Sequence, residues 1–499
     1  MFWADEVAKE LKGKSQHVTD GKTPSGRIHV GSLRGVIIHD AIVRALTNNK
    51  TEVKFSYIFD DFDAFDRVPT GLDKEKYDKY IGIPLGSVPS PDSSAENYGQ
   101  FFAKEFENVF RSLGVKPEII WQTKLHKSGV LDEAIKIALD NAEKIQDIYK
   151  EVSGSKKREQ RWLPFQPICQ KCGKIGTTKA IEWDGKEIKY ECLENLVSWA
   201  KGCGYKGKIS PFGGNGKLPW KIYWPARWFA LGTTIEGEGK DLASKGGARD
   251  VANHIAKDVY EIEPPSDIQY EHFLLGGAKM STSKGVGISA SEIVKILPPE
   301  AVRFLMLRHH PMHAINFDPY EPTTIPHLFD EYDKFAESDD SDMARIFELS
   351  QIDKMSKRQK LVRFSDIVNL LQMPGKEKEL EREDVKPRVS YAKIWLDRFA
   401  PEEEKFTVKE ELPLQALHLS ALQKTFLIKV ADELIKNWQA EDLQTNLYNW
   451  AKEIEISSKE AFSAIYLSLI GKDHGPKAAW LILSLDKKFV IDRFKEAAG

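Results

Sequence analysis

Pro24-Ser25-Gly26-Arg27-Ile28-His29-Val30-Gly31-Ser32 is a turn that runs straight into a helix, and its reading decides the fold. Thr23-Pro24-Ser25-Gly26 carries turn chemistry, and the residues beyond are apolar at helical spacing: Leu33, Val36, Ile37, Ile42, Val43 and Leu46. A helix start leaves its first backbone N–H groups without intrahelical partners, so it favours an anion such as phosphate. A neutral His29 adds a donor, and Gly31, without a side chain, lets a nucleotide approach the backbone closely. On either side, residues 16–21 and Val53–Phe59 alternate or run apolar as buried strands do, with the helix pattern over 33–47 between them. Strand, loop, helix, strand is a βαβ unit and predicts a parallel sheet. Ligands of such sheets sit beyond the carboxyl ends of the strands. His29, after the first strand, and Asp60-Asp61-Phe62-Asp63, after the second, therefore share one mouth.

A second stretch, Lys279-Met280-Ser281-Thr282-Ser283-Lys284-Gly285, offers two ammonium groups and three hydroxyls on a Gly/Ser/Lys loop. Such a loop suits the charge of a pentavalent phosphorus intermediate better than a stable product. An early phosphate-binding turn and a late lysine loop are what a split nucleotide-binding fold needs. Together they predict an ATP site that activates a carboxylate.

At 499 residues the chain has room for several domains, about three by the usual length. Hydrophobic and charged fractions of 41% and 29% describe a soluble globular protein, and no apolar run approaches the ~20 residues of a membrane span. Residues 1–14 read as a short amphipathic helix without the apolar core of a secretory signal, so the cytoplasm is the expected compartment and no membrane partner is expected. A net charge of −3 gives no whole-protein case for nucleic-acid binding, although a local basic face would suffice. The mixed charge run over 376–386 reads as a solvated helix or linker.

Helical patterns recur over 101–113 and 131–149, followed by a Pro/Gly/Cys-rich region over 162–219. The sheet pattern resumes near 220–228 and 268–275. After about Met343 strand patterns fade and helices dominate, punctuated by Pro374, Pro387, Pro401 and Pro413. All four cysteines, Cys169, Cys172, Cys192 and Cys203, fall within thirty-five residues. Cys169-Gln170-Lys171-Cys172-Gly173 is half of a zinc knuckle, and Cys203-Gly204-Tyr205 is a second knuckle-like turn. Cys192 stands unusually far from Cys203. The cluster predicts a structural Zn²⁺ with no open coordination position, hence a role in folding and none in catalysis.

The two motifs in this order resemble the signatures of class I aminoacyl-tRNA synthetases. Gly21-Lys22-Thr23-Pro24-Ser25-Gly26, Asp60-Asp61-Phe62-Asp63, Val68-Pro69, Gly239-Lys240-Asp241, Lys245-Gly246-Gly247-Ala248-Arg249-Asp250 and Gly277-Ala278-Lys279-Met280-Ser281 are similar to the lysyl-specific branch of that class. Gly471-Lys472-Asp473-His474-Gly475-Pro476 is similar to the end of its helical anticodon-binding domain, so the likeness spans the chain. It implies an α/β fold: a Rossmann-type parallel-sheet catalytic domain with a zinc-binding insertion, then an all-α C-terminal domain. The implied boundaries are 1–160 and 219–275 for the two Rossmann halves, 161–218 for the zinc insertion, 276–342 for the signature loop and connection, and 343–499 for the anticodon-binding helices. The implied reaction joins L-lysine to tRNA(Lys) at the expense of ATP with Mg²⁺, and other synthetases are a further class of partner. The rivals are a class I synthetase for glutamate, arginine or cysteine, and a non-catalytic tRNA-binding relative.

The resemblance also implies roles. His29, Gly31 and Ser32 hold ATP, while Lys279, Ser281, Ser283 and Lys284 neutralise charge at the α-phosphate. Gly21 and Thr23 line the amino-acid pocket, Asp60 pairs with the α-ammonium, and Trp220 either covers the lysine stem or packs in the core between domains. Asp61 and Asp63 cap the strand end. Two departures stand out: Thr282 replaces the second lysine of the signature, and Leu242 stands where the family has histidine.

Overall fold

The computed structural model describes residues 1–154, 162–279, 287–353 and 362–499. Gln16–Lys22 (β1), Val53–Phe59 (β2) and Glu118–Trp121 (β3) form a parallel sheet in that order. Val18, Tyr57, Ile58 and Phe59 are almost wholly buried, as parallel strands covered on both faces require. Beyond β1, single parallel bridges join Val18 to Ile235 and Ile235 to Ser266. The same two stretches continue as a parallel pair, Glu238–Gly239 (β4) and Gln269–Tyr270 (β5). The five segments thus run in the order 3-2-1-4-5, and the chain turns outward in opposite directions from β1 and β4. Such a reversal opens a crevice at the strand ends.

Leu33–Asn48 (α1) makes the crossover from β1 to β2, its apolar face buried from Leu33 to Leu46. It lies so close to β5 that a Cβ on Gly35 would stand 2.8 Å from Tyr270 Oη and 3.1 Å from Asp20 Oδ2. Tyr98–Ser112 (α2), capped by the Asn97 side chain, leads into β3.

Three expectations shift. The helical pattern over 131–149 is two helices, Asp132–Asp140 and Ala142–Ser153, which meet at Asn141. Residues 220–228, expected in the sheet, lie in a helix, Trp220–Leu231 (α3). Their aromatic content favours strands, but Trp220, Trp224 and Trp228 recur every fourth residue and stack along one face, with ring centroids 5.3 and 5.2 Å apart. Residues 268–275 divide: β5 joins the parallel sheet, whereas Phe273–Leu275 pairs with Ala278–Lys279 and with Ile315–Asn316.

The chain separates into two compact units, Met1–Asp318 with Ser338–Ser356, and Pro319–Glu337 with Lys357–Gly499. Among the described residues the second unit contains no strand; its helices close on a core that includes Phe426, Val430, Leu447, Ile465 and Leu469. No helix among the described residues is long and apolar enough to cross a membrane.

In the first unit, Ala248–Asp258 (α4), Ala290–Ile296 (α5) and Pro299–Leu307 (α6) complete the packing around the sheet. Arg303 of α6, fully buried, donates to Asp40 of α1 at 2.6 Å and to the carbonyls of Leu113 and Leu349. Arg44 also pairs with Asp40, at 2.8 Å, so removing Arg303 does not strip that carboxylate of every partner. Arg303→Ala is therefore expected to cost about 3 kcal/mol, the lower end for a broken buried pair, read as a lowered urea midpoint of the first unit.

Candidate active site

β1 ends at Lys22, and the chain passes through the Pro24 turn to His29, which precedes the 3₁₀ turn Val30–Ser32 at the head of α1. Gly31 and Ser32 sit in that turn. Burial, with Lys22 nearby, lowers the His29 pKa to about 4, so the ring is neutral at pH 7. Its Nδ1 is buried without a protein partner. Burial also lowers the pKa of Lys22, with Asp20 opposing. Lys22 is a cation beside His29 that the sequence reading passed over.

Lys279 ends the strand Ala278–Lys279. Ser281, Ser283 and Lys284 lie outside the described residues. The chain re-enters at Gly287, and residues 288–290 then pair antiparallel with residues 28–30. Val30 N–H donates to Ile288 O and Ala290 N–H to Ile28 O, each at 2.9 Å, with His29 opposite Ser289. Ser289 opens α5 in a capping box with Glu292. The stem of the second motif is thus hydrogen-bonded to the backbone of the first.

At the ends of β1, β2 and β4 lies a cavity of about 110 Å³. Gly21, Asp60 and Trp220 line it, together with Asp20, Glu236, Glu238 and Leu242. Thr23 does not line it: its hydroxyl donates to Asp63 Oδ2 at 2.7 Å. Asp63 also pairs with the Lys217 ammonium, so it ties the Thr23 turn to the insertion instead of capping a strand. Asp61 accepts from Thr123 N–H at 2.7 Å. A Cβ on Gly21 would stand 2.9 Å from Ile58 O, so glycine is required for the close passage of β1 past β2.

Four carboxylates face this cavity against one lining guanidinium, that of Arg227. Glu236 is fully engaged: it pairs with Arg227 and accepts from Trp228 Nε1 at 2.5 Å. Asp60 stands 3.7 Å from Arg227, and its Oδ1 has no hydrogen-bond donor. Burial raises its pKa to about 7, with Arg227 opposing. Glu238 accepts from Arg249 at 3.0 Å through Oε2, while its Oε1 meets no donor. Burial raises Glu238 to about 9; Arg249 opposes, and the neighbouring Asp267 carboxylate adds to the rise. Asp20 accepts from Gly21 N–H at 2.8 Å. Gly237 N–H donates to His39 Nε2 at 2.8 Å while His39 Nδ1 faces Gly35 O at 2.7 Å, so the ring is in its neutral Nδ1–H form. Leu242 packs on the Trp224–Trp228 cluster and makes that wall apolar.

Sequence reasoning missed Glu236, Glu238 and Arg227. Alternation of carboxylate and glycine in Glu236-Gly237-Glu238-Gly239 was the available signal: short side chains between two acids let both reach one hollow.

The four cysteine Sγ atoms lie within 4.8 Å of one another, with Cys169 3.6 Å from Cys203 and Cys172 3.7 Å from Cys192. Sulfurs at ~2.3 Å around one tetrahedral Zn²⁺ stand about 3.8 Å apart, so the set fits. Cys192 belongs to it despite its sequence distance, because its strand, Ile188–Cys192, returns beside the Cys169 turn. Its Sγ also accepts from Cys203 N–H at 3.3 Å, a contact suited to a thiolate.

A family model described as tRNA synthetases class I (K) matches residues 1–355, and one described as an anticodon binding domain matches residues 389–498. The chain belongs to the class I tRNA synthetases. Lysine–tRNA ligase 1 of Methanosarcina acetivorans is 37% identical over 541 residues, covering 100% of this chain and 98% of that protein. The lysine–tRNA ligase of Archaeoglobus fulgidus is 35% identical over 514 residues and covers both chains completely. That of Thermoplasma acidophilum is 34% identical over 520 residues, covering 99% of this chain and 98% of the relative. In this class I synthetase the early histidine turn and the stem of the late lysine motif adjoin.

The His29 environment makes a direct expectation. Its ring resonances should stay flat from pH 8 to 5.5 and titrate near 4. A midpoint near 6.5 in an NMR titration would mean that the ring is solvated and unlike the one described.

Proposed function

We propose that this chain is a lysine–tRNA ligase that forms lysyl-adenylate from L-lysine and ATP, then transfers the lysyl group to the 3′-terminal adenosine of tRNA(Lys). The acidic cavity carries this reading. It offers two under-partnered carboxylates, Asp60 and Glu238, to a substrate bearing two ammonium groups. Glutamate would instead need a free guanidinium, and Arg227 is already engaged by Glu236.

Asp60 would take the α-ammonium and Glu238 the ε-ammonium, with Trp220 and Leu242 along the methylene stem. Both acids carry raised pKa values in the free protein, so an arriving ammonium would displace protons from them. His29, Lys22 and the Gly31–Ser32 turn would hold the triphosphate that arrives with Mg²⁺. An oxygen of the lysine carboxylate attacks the α-phosphorus and pyrophosphate leaves. Lys279, Ser281, Ser283 and Lys284 would neutralise charge in that step. A ribose hydroxyl of the tRNA terminus, the 2′-OH in this class, then attacks the adenylate carbonyl, and AMP leaves. No protein nucleophile is needed; alignment and charge do the work.

Zn²⁺ would be held by Cys169, Cys172, Cys192 and Cys203 and would fix the insertion that carries Lys217. With four thiolates it has no open position, so it supplies folding energy alone. The cytoplasm, where translation takes place, is the compartment this reading expects.

ATP–pyrophosphate exchange should depend on lysine and not on glutamate, arginine or cysteine; exchange with another of these would overturn the assignment. Asp60→Asn and Glu238→Gln should each raise the lysine KM about 10- to 100-fold, the loss of one charge-assisted contact, and leave the ATP KM unchanged. Lysine binding should tighten from pH 6 to 8.5 as both acids ionise, with protons released on calorimetry; the upper part of that rise should vanish in Glu238→Gln. Metal analysis should find one zinc per chain, lost in Cys172→Ser together with native-like stability of the insertion; a fully stable metal-free protein would exclude the zinc role.

A further inference from the structure

A parallel ladder joins β1 to the stretch that leads into β4, and it stops after one step. Thr19 N–H donates to Ile235 O at 2.9 Å and Ile235 N–H to His17 O at 3.3 Å. The next step of such a ladder would pair Gly237 N–H with Thr19 O and Gly21 N–H with Gly237 O. Each donor goes to a side chain instead. Gly21 N–H bonds Asp20 Oδ1 and Gly237 N–H bonds His39 Nε2, both at 2.8 Å. The strands thus part after Val18 and Ile235, and the acidic cavity lies where they part, lined by Asp20, Gly21, Glu236, Gly237 and Glu238.

We propose that His39 is a positioning residue for the lysine pocket, a wedge from α1 that caps the amide freed by this parting and keeps β4 off β1. This role rests on the ligase reading, whose pocket it holds open. The His39 ring is wholly buried on α1. Its Nδ1–H donates to Gly35 O at 2.7 Å, one turn back along the helix, so Nε2 is fixed as an acceptor aimed at Gly237. The same ring meets the other side of the gap, with Nδ1 3.6 Å from Asp20 Oδ2. Gly35 makes room for that approach, because a Cβ there would stand 3.1 Å from the same oxygen.

The peptide between Glu236 and Gly237 is held at both ends. Arg249 donates to its carbonyl at 2.9 Å, and His39 accepts from its N–H. A Cβ on Gly237 would stand 2.3 Å from Ile268 O, so the segment is also pressed against the chain entering β5. Alternate residues of an extended chain share a face, and fixing this one peptide sets the direction in which Glu236 and Glu238 both reach the cavity. Without the His39 acceptor a buried N–H loses its partner. The bond open to it is then the ladder bond to Thr19 O, which would draw β4 onto β1 and close the gap. Lysine would bind only the molecules whose gap stands open, and its apparent affinity would fall with that fraction.

The test compares two amides in the full-length protein. Glutamine can set its Oε1 where Nε2 of histidine stands, whereas asparagine reaches only the Nδ1 position and leaves Gly237 N–H uncapped. His39→Asn should raise the lysine KM in ATP–pyrophosphate exchange about 5- to 100-fold, the span for a buried donor left without a partner. Its ATP KM and its kcat at saturating lysine should stay near those of the wild type, and His39→Gln should restore most of the lysine affinity. A second measurement needs no variant. With glycine-selective isotope labelling, the Gly237 amide of the wild type should exchange slowly with solvent. A rapidly exchanging Gly237 amide, an unchanged lysine KM in His39→Asn, equal rises in the lysine and ATP KM values, or a His39→Gln variant as impaired as His39→Asn would each overturn the wedge. Wild-type exchange that does not depend on lysine would sink the ligase reading instead, and the Gly237 amide would still test the wedge by itself.

Discussion

The crevice depends on one buried guanidinium. Arg227, with a side chain 5% exposed, lies beneath the strand ends and pairs with Glu236 and more loosely with Asp60. Burying such a group without partners costs several kcal/mol, so Glu236 is committed to it. That commitment leaves Asp60 and Glu238 short of donors. Gly21 belongs to the same arrangement, because a Cβ there would stand 3.5 Å from Arg227 Nη1 as well as against β2. A cavity that holds its own arginine in this way is acidic by construction and poorly suited to an anionic side chain.

Arg249 plays the matching part for Glu238. Its guanidinium is stacked 4.7 Å from the Trp228 ring and 5.4 Å from the Trp224 ring, and it bonds the carbonyls of Glu236 and Pro265. The tryptophan ladder of α3 therefore has two ends with different duties. Its inner rings clamp Arg249 behind the carboxylates, and its outer ring, Trp220, reaches the cavity. Leu242, packed on the same ladder, continues an apolar lining for methylene groups.

Local chemistry that repeats over short range was legible in the sequence. β1, α1 and β2 follow from alternation and a 3.6-residue period, and β2 matches its expected bounds. The cysteine cluster was legible because thiols rarely gather without a metal or bond. What could not be read depends on partners far apart in sequence. β4 is only two residues long and shows no period at all; it exists because Ile235 bridges Val18 and Ser266. Residues 220–228 read as sheet because aromatic content favours strands, whereas the four-residue spacing of their tryptophans pointed to the helix observed. Glu236 and Glu238 acquire their place from Arg227 and Arg249, which the sequence keeps apart from them by a turn or more. The contact between His29 and Ser289 spans most of the first unit and leaves no trace in either motif.

Alternation along β1 gives the proposed chemistry its alignment. Asp20 and Lys22 are two residues apart, so their side chains leave the strand on one face while Gly21 between them lets β1 pass close to β2. Asp20 lines the acidic cavity, and Lys22 stands beside His29 at the anion-favouring turn. The boundary between the proposed ammonium-binding and phosphate-binding regions is thus about one strand residue wide. A substrate anchored by its amines in the first would present its carboxylate at that boundary, next to an α-phosphate anchored in the second. Holding two reactants at such a separation replaces a bimolecular encounter with an internal step, a gain on the order of 10⁵ M or more in effective concentration. Thr282, which stands where the family signature has a second lysine, lies outside the described residues. Lys22, at the end of β1 and beside His29, brings an amino group to the proposed phosphate side.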